Sequence, residues 1–169
     1  LNMMAMIADA QGNTSLAVEY MQRAVTLFQQ SQGVHENTAT LMFNLAEFYK
    51  KQNQIDQALK TLQQADQMMQ KLLSTQKNTQ SVILQNKILS EIQQNLIQQG
   101  KAQQAEQYAQ RQFELISQSQ ADIDPTQNLT TIRSLMILAQ SYQAQNNFDK
   151  AAEVLTDIFK RFDHVKNSL

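Results

Sequence analysis

The 169-residue chain sets 14 Lys and Arg against 15 Asp and Glu, and its net charge of −1 gives no general attraction for phosphate backbones or anionic lipid surfaces. It has no cysteine, which excludes disulfides, thiolate nucleophiles and cysteine-based zinc sites and leaves the redox compartment undetermined. Three glycines and one proline supply too little turn chemistry for a hairpin-rich β fold, while 42% hydrophobic residues suffice for one continuous helical core.

The first apolar run, Met3-Met4-Ala5-Met6-Ile7-Ala8, is too short for a membrane span and lacks the basic flank of a signal peptide. Because the chain opens on Leu1, a fragment of a longer protein or a processed form is expected. After a break at Gly12-Asn13, Leu16, Ala17, Tyr20, Met21, Ala24, Val25 and Phe28 recur at helical spacing, up to Ser31-Gln32-Gly33. Leu41, Leu45, Phe48 and Tyr49 mark the next helix, and Gln52-Asn53-Gln54 ends it. Ile55, Ala58, Leu59, Leu62, Ala65, Met69 and Leu72 form the clearest apolar stripe, followed by a break from Ser74 to Gln80. Further breaks at Gln99-Gly100, from Ser117 to Pro125 and at Asn146-Asn147 divide the remainder, so the spacing predicts about eight helices. The 30 glutamines are scattered at helical spacing and read as solvated faces rather than as a prion-like tract.

Long and short connections alternate, which is the signature of an internal repeat. Gly12, Asn53, Gly100 and Asn146 each stand five residues before an alanine, namely Ala17, Ala58, Ala105 and Ala151. Gly and Asn tolerate the left-handed backbone that closes a helix, so the four positions make one physical demand. Four residues before them stand Ala8, Tyr49, Leu96 and Tyr142, the last three large enough to fill the space beside a closely approaching alanine. The unit is a helix–turn–helix repeated four times.

The pattern resembles the tetratricopeptide repeat, L-A-x2-Y-x3-G/N-x-Φ-x2-A-x3-Φ-x2-A with Φ a large apolar group. Leu45-Ala46, Tyr49, Asn53, Ile55, Ala58, Leu62 and Ala65 match it throughout. Leu138-Ala139, Tyr142, Asn146, Phe148, Ala151 and Leu155 match nearly as well, with Ile158 in place of the final alanine. The third unit departs most, carrying Gln93 and Gln112 at two small-residue positions. The alanines lie 41, 47 and 46 residues apart against 34 in the ordinary repeat, similar to the longer repeats of kinesin light chains and bacterial regulatory proteins. The resemblance implies an all-α, right-handed α-solenoid: one domain over residues 1–169, with units at about 1–32, 36–74, 79–119 and 126–165.

By the same resemblance, the concave face is lined by the first helix of each pair, and its non-core positions bind a protein or peptide. These are Thr40, Phe43, Asn44, Glu47, Lys50 and Lys51 in the second unit, Lys87, Ser90, Glu91, Gln94 and Ile97 in the third, and Arg133, Met136, Ile137, Gln140 and Gln143 in the fourth. Asn44 is the foremost candidate, since an amide at this place in related arrays binds the backbone of an extended peptide. A carboxylate clamp is disfavoured: Asn44 and Lys87 match two of its positions, but Asn2 and Met6 replace its first pair and Glu91 adds a negative charge. Phe43, Ile97, Met136 and Ile137 suit an amphipathic helix or a short linear motif. A regulatory sensor that binds a small peptide or ligand and signals to an effector domain is the alternative, and a structural self-assembly segment a third reading.

No enzyme, cofactor or metal site is expected. His35 and His164 stand about 130 residues apart, too far for a shared metal or acid–base site between different repeats. Asp122 and Asp124 before Pro125 read as a helix-start signal. The eight methionines read as adaptable filler between helices. Nucleic acid and membrane insertion are not expected, whereas the apolar stripe Phe148, Ala151, Ala152, Leu155, Ile158, Phe159 and Phe162 predicts a homodimer through terminal helices.

Overall fold

The computed structural model of the protein describes residues 1–76, 78–118 and 125–166. Among them are eight helices and no strand: α1 (Asn2–Ala10), α2 (Thr14–Gln32), α3 (Glu36–Lys51), α4 (Ile55–Thr75), α5 (Thr79–Gln98), α6 (Ala102–Gln118), α7 (Pro125–Ala144) and α8 (Phe148–Lys166). Asp122 and Asp124 lie outside the described residues, and so do the side chains of Arg133, Phe162 and His164.

The four short connections are built alike. Gly12, Asn53, Gly100 and Asn146 have φ of 79, 58, 72 and 58°, a region that costs an ordinary L-residue about 1–2 kcal/mol. The following N–H then reaches back to the large or small residue singled out by the repeat: Asn13 to Ala8 at 2.9 Å, Gln54 to Tyr49 at 2.9 Å, Lys101 to Leu96 at 2.8 Å and Asn147 to Tyr142 at 2.9 Å. This closure satisfies carbonyls that an ending helix leaves without partners. It also fixes where the second helix of the pair sets out. Each second helix therefore meets the first through its early alanine, and Ala17, Ala58, Ala105 and Ala151 are all 2% exposed or less.

The chain forms two compact units, Leu1–Ile88 and Leu89–Leu169. In the first, α1 packs on α2, α2 on α3 and α3 on α4. Small residues Ala5, Ala17, Ala39, Ala46, Ala58 and Ala65 let the helices approach, and Met21, Leu62 and Met69 fill the intervening space without exposure. Each of these larger side chains contributes about 1.5–3 kcal/mol by burial. Gln22 Nε2 donates to the Tyr49 hydroxyl at 2.6 Å, so the phenol's polar end is used where α2 meets α3. In the second unit α6 packs on α7 and α7 on α8, around Ala109, Ile132, Leu135, Leu138, Ala139, Tyr142, Ala151, Val154 and Ile158.

Two sequence expectations are corrected. Gap filling holds for Met21, Met42 and Met69, but Met3, Met4 and Met6 are exposed, Met3 to 74%. Ser90, expected on the binding face, is buried, because the glutamines at small-residue positions in the third unit need polar partners. Gln93 Nε2 donates to Gln112 Oε1 at 2.8 Å and Gln112 Nε2 to Ser90 Oγ at 2.7 Å, so amides join α5 to α6 beside the alanine contact at Ala105. Within the first unit α5 is similarly polar: Gln85 Nε2 donates to the buried carboxylate of Asp66, which also accepts from Gln70 Nε2 at 2.9 Å.

Candidate binding surface

The α3 helix positions the best-defined candidates. Its start is fixed by His35, whose Nδ1 accepts from the Asn37 N–H at 3.1 Å. This cap gives that histidine a structural use, and Glu36 in the first turn with Lys50 and Lys51 in the last complement the helix dipole. Leu41, Met42, Leu45, Ala46, Phe48 and Tyr49 turn into the core. Thr40, Phe43, Asn44, Glu47 and Lys51 are left at intervals of three and four residues, one face of the helix, exposed or half-buried.

That face begins in a cleft. A volume of about 460 Å³ lies between the start of α1, α2 and the start of α3, bordered by Met3, Leu27, Phe28, Asn37, Thr40 and Leu41. Helical spacing assigns Phe28 to the core stripe and passes over Leu27. Both border the cleft, a placement that depends on where α1 begins beside α2 and leaves no mark on periodicity. Farther along α3 the side chains differ in what engages them. Glu47 accepts from Lys50 Nζ at 3.1 Å, and the Lys51 ammonium pairs with Asp9 of α1 while lying 5.4 Å from the centre of the Phe48 ring. Asn44, half-buried, has no hydrogen-bond partner for its amide among the described residues.

On α5, Lys87 and Gln94 are exposed and Glu91 is half-buried, one face at the same helical spacing. On α7, Ile137 is half-buried and Gln140 and Met136 are exposed. Arg133 belongs to the same helix, with its side chain outside the described residues. The groups of His, Asp and Glu among the described residues include none that could hold a metal ion.

Helix pairs closed by one repeated left-handed turn define an all-α helical-repeat protein. Models of the tetratricopeptide repeat match residues 1–71 and 133–164. The crystal structure of BtubC (BKLC) from P. vanneervenii is similar over 98% of this chain, with TM-score 0.71 at 16% identity, and the chain spans 63% of that protein's length. Nearly identical TPR-like repeats of a kinesin light chain from Podosopora anserina superpose with TM-score 0.62 at 20% identity, covering 93% of this chain and 71% of theirs. A form of those repeats with one glutamine replaced by methionine gives 0.65 at 19% identity, over 96% and 73%. No curated protein sequence matches. The chain belongs to the tetratricopeptide repeat family and has a helical-repeat solenoid fold. Repeats of this family mediate protein–protein interaction. Among the described residues no helix is long and apolar enough to cross a membrane.

Proposed function

We propose that the chain is a protein- or peptide-binding module whose contacts come from the non-core positions of the first helices of its pairs. The observation that supports this is the α3 face: it runs from a cleft of about 460 Å³ past Phe43 to Asn44, a half-buried amide with no hydrogen-bond partner among the described residues. An amide so placed can donate and accept at once, the pattern an extended backbone requires. Phe43 supplies apolar area beside it. Lys87, Glu91 and Gln94 are the corresponding candidates on α5, and Arg133, Ile137 and Gln140 those on α7.

Peptides selected from a displayed random library against the 169-residue chain provide the test. Asn44→Ala with Lys87→Ala weakens the selected peptides by at least roughly 1 kcal/mol and leaves the thermal melt nearly unchanged, because the Asn44 amide has no hydrogen-bond partner among the described residues and Lys87 is exposed. Gln107→Ala, on an exposed position of α6, leaves affinity alone. The reverse ranking moves the site to the second helices.

Self-association is a second reading, favoured by α8, where Phe148 and Phe159 are 62% and 68% exposed on one face.

A further inference from the structure

A second cleft, of about 260 Å³, lies within the Leu89–Leu169 unit between α6, α7 and α8, and uses none of the side chains assigned above to partner binding. Its floor is Tyr142, 7% exposed, whose phenol donates to Gln110 Oε1. Phe113 adds an apolar wall, and Glu114 and Glu153 stand at the rim, both exposed. Gln110 Nε2 donates to Glu114 Oε1 at 2.9 Å. Among the described residues neither glutamate has an ion-pair partner. The Lys150 ammonium lies over the Tyr142 ring, 5.5 Å from its centre.

These observations point to one ligand chemistry. An aromatic face attracts a cation through its quadrupole, and two carboxylates beside it, neither in an ion pair among the described residues, add attraction of the same sign. The chain's own Lys150, an exposed residue, holds that place, so a cation reaches the ring from the surface side. A flexible exposed ammonium without a carboxylate partner is a weak occupant. A guanidinium is a better one, since it is planar, stacks on aromatic rings, is less strongly hydrated than an ammonium and pairs with carboxylates through two parallel bonds. Burial first, and then the charges of Glu106, Glu114 and Glu153, raise the Tyr142 phenol above its ordinary value, in keeping with a negative local potential. The volume suits one long side chain and is too small for a helix.

We propose that this cleft receives an arginine side chain of a partner protein, with the guanidinium on the Tyr142 ring between Glu114 and Glu153 and Lys150 displaced from the ring. The site shares no residue with the α3 face and does not rest on the function proposed for it.

N-acetyl-arginine amide is the probe, titrated into the 169-residue chain while the Val154 methyl and Tyr142 ring resonances are followed by NMR. The shifts are expected to saturate with the arginine amide and not with N-acetyl-citrulline amide, which has the same shape without the charge. Glu114→Gln with Glu153→Gln is expected to abolish saturation. Lys150→Gln is expected to tighten binding by about two- to fivefold, the scale of an exposed cation–π contact removed from competition. Equal responses to the arginine and citrulline amides, saturation that survives the double glutamine substitution, or unchanged or weaker binding in Lys150→Gln would each overturn the proposal. None of these outcomes bears on Asn44 and Lys87.

Discussion

Gln93 and Gln112 face each other across the α5–α6 contact, their buried amides joined by a 2.8 Å hydrogen bond at two positions where the repeat ordinarily carries small residues. Buried amides are costly unless bonded, so each holds the other in place. Gln112→Ala takes the acceptor from Gln93 and the donor from Ser90, and is expected to destabilise the chain by about 1–3 kcal/mol in urea unfolding. Gln93→Ala should cost a similar amount. The double variant restores small residues at both positions, and its cost should fall short of the summed single costs by at least about 0.5 kcal/mol. Simple additivity would mean that the two amides act independently.

The four left-handed turns allow a test that separates backbone conformation from packing. A Cβ built on Gly12 or Gly100 meets nothing within 4 Å, so only the positive φ opposes a side chain there. Gly100→Ala is therefore expected to cost about 1 kcal/mol through backbone strain alone, and Gly100→Asn less. Asn53→Gly and Asn146→Gly should be neutral to within a few tenths of a kcal/mol, whereas Asn53→Ala should cost as Gly100→Ala does. Equal melts for Asn53→Gly and Asn53→Ala would remove backbone conformation as the reason for these residues.

What is legible in the sequence follows from these turns. Gly or Asn at a left-handed position and alanine at a close helix crossing are local demands, each met by few residue types, so they stand out without any knowledge of partners. Ser90 escapes such reasoning because its burial answers to Gln112, 22 residues away, and periodicity alone sees a serine on the polar side of a helix. Met3, Met4 and Met6 escape it for a related reason. Helical spacing says that they share a helix with Ala5 and Ala8, and composition does not say which side has a neighbour. The Tyr142 cleft leaves no sequence signal, since Tyr142 reads as a repeat-defining core residue and Glu114, Lys150 and Glu153 as ordinary solvated charges.

Tyr142 gives a pH dependence whose sign follows from its surroundings. Burial and the nearby carboxylates of Glu106, Glu114 and Glu153 raise its folded pKa above the ordinary 10.0. The neutral phenol is therefore favoured by the fold, and its contribution to stability is fully present below pH 10 and lost as pH rises through the folded value. The absorbance change at 295 nm on alkaline titration should contain a late component, above about pH 10, that Tyr142→Phe removes. Tyr142→Phe also loses the hydrogen bond to Gln110, about 0.5–1.5 kcal/mol at neutral pH, and should show a shallower loss of stability at alkaline pH than the parent chain. A parent titration without a late component would exclude the raised phenol.

The last relationship concerns α8, whose two sides differ sharply. Ala151, Val154 and Ile158 turn into the core and Leu155 packs partly against it, while Phe148, Ala152 and Phe159 follow at intervals of four and seven residues along the other side, with both phenylalanines exposed. Two phenylalanines on one helix face present more apolar area than scattered surface residues ordinarily do. A two-fold contact between copies would cover this stripe by setting it against itself, the commonest closed arrangement. Light scattering of the 169-residue chain at micromolar concentration is expected to report a mass that rises with concentration toward twice the 19.3 kDa of one copy. Phe159→Glu places a charge on the stripe and should return the mass to that of one copy, without lowering the melt measured in dilute solution, because Phe159 makes no part of the folded core. Phe148→Glu, at the other end of the same face, should act in the same direction. A mass that stays at one copy across the whole range, or a dimer indifferent to both substitutions, would show that this face of α8 does not hold copies together.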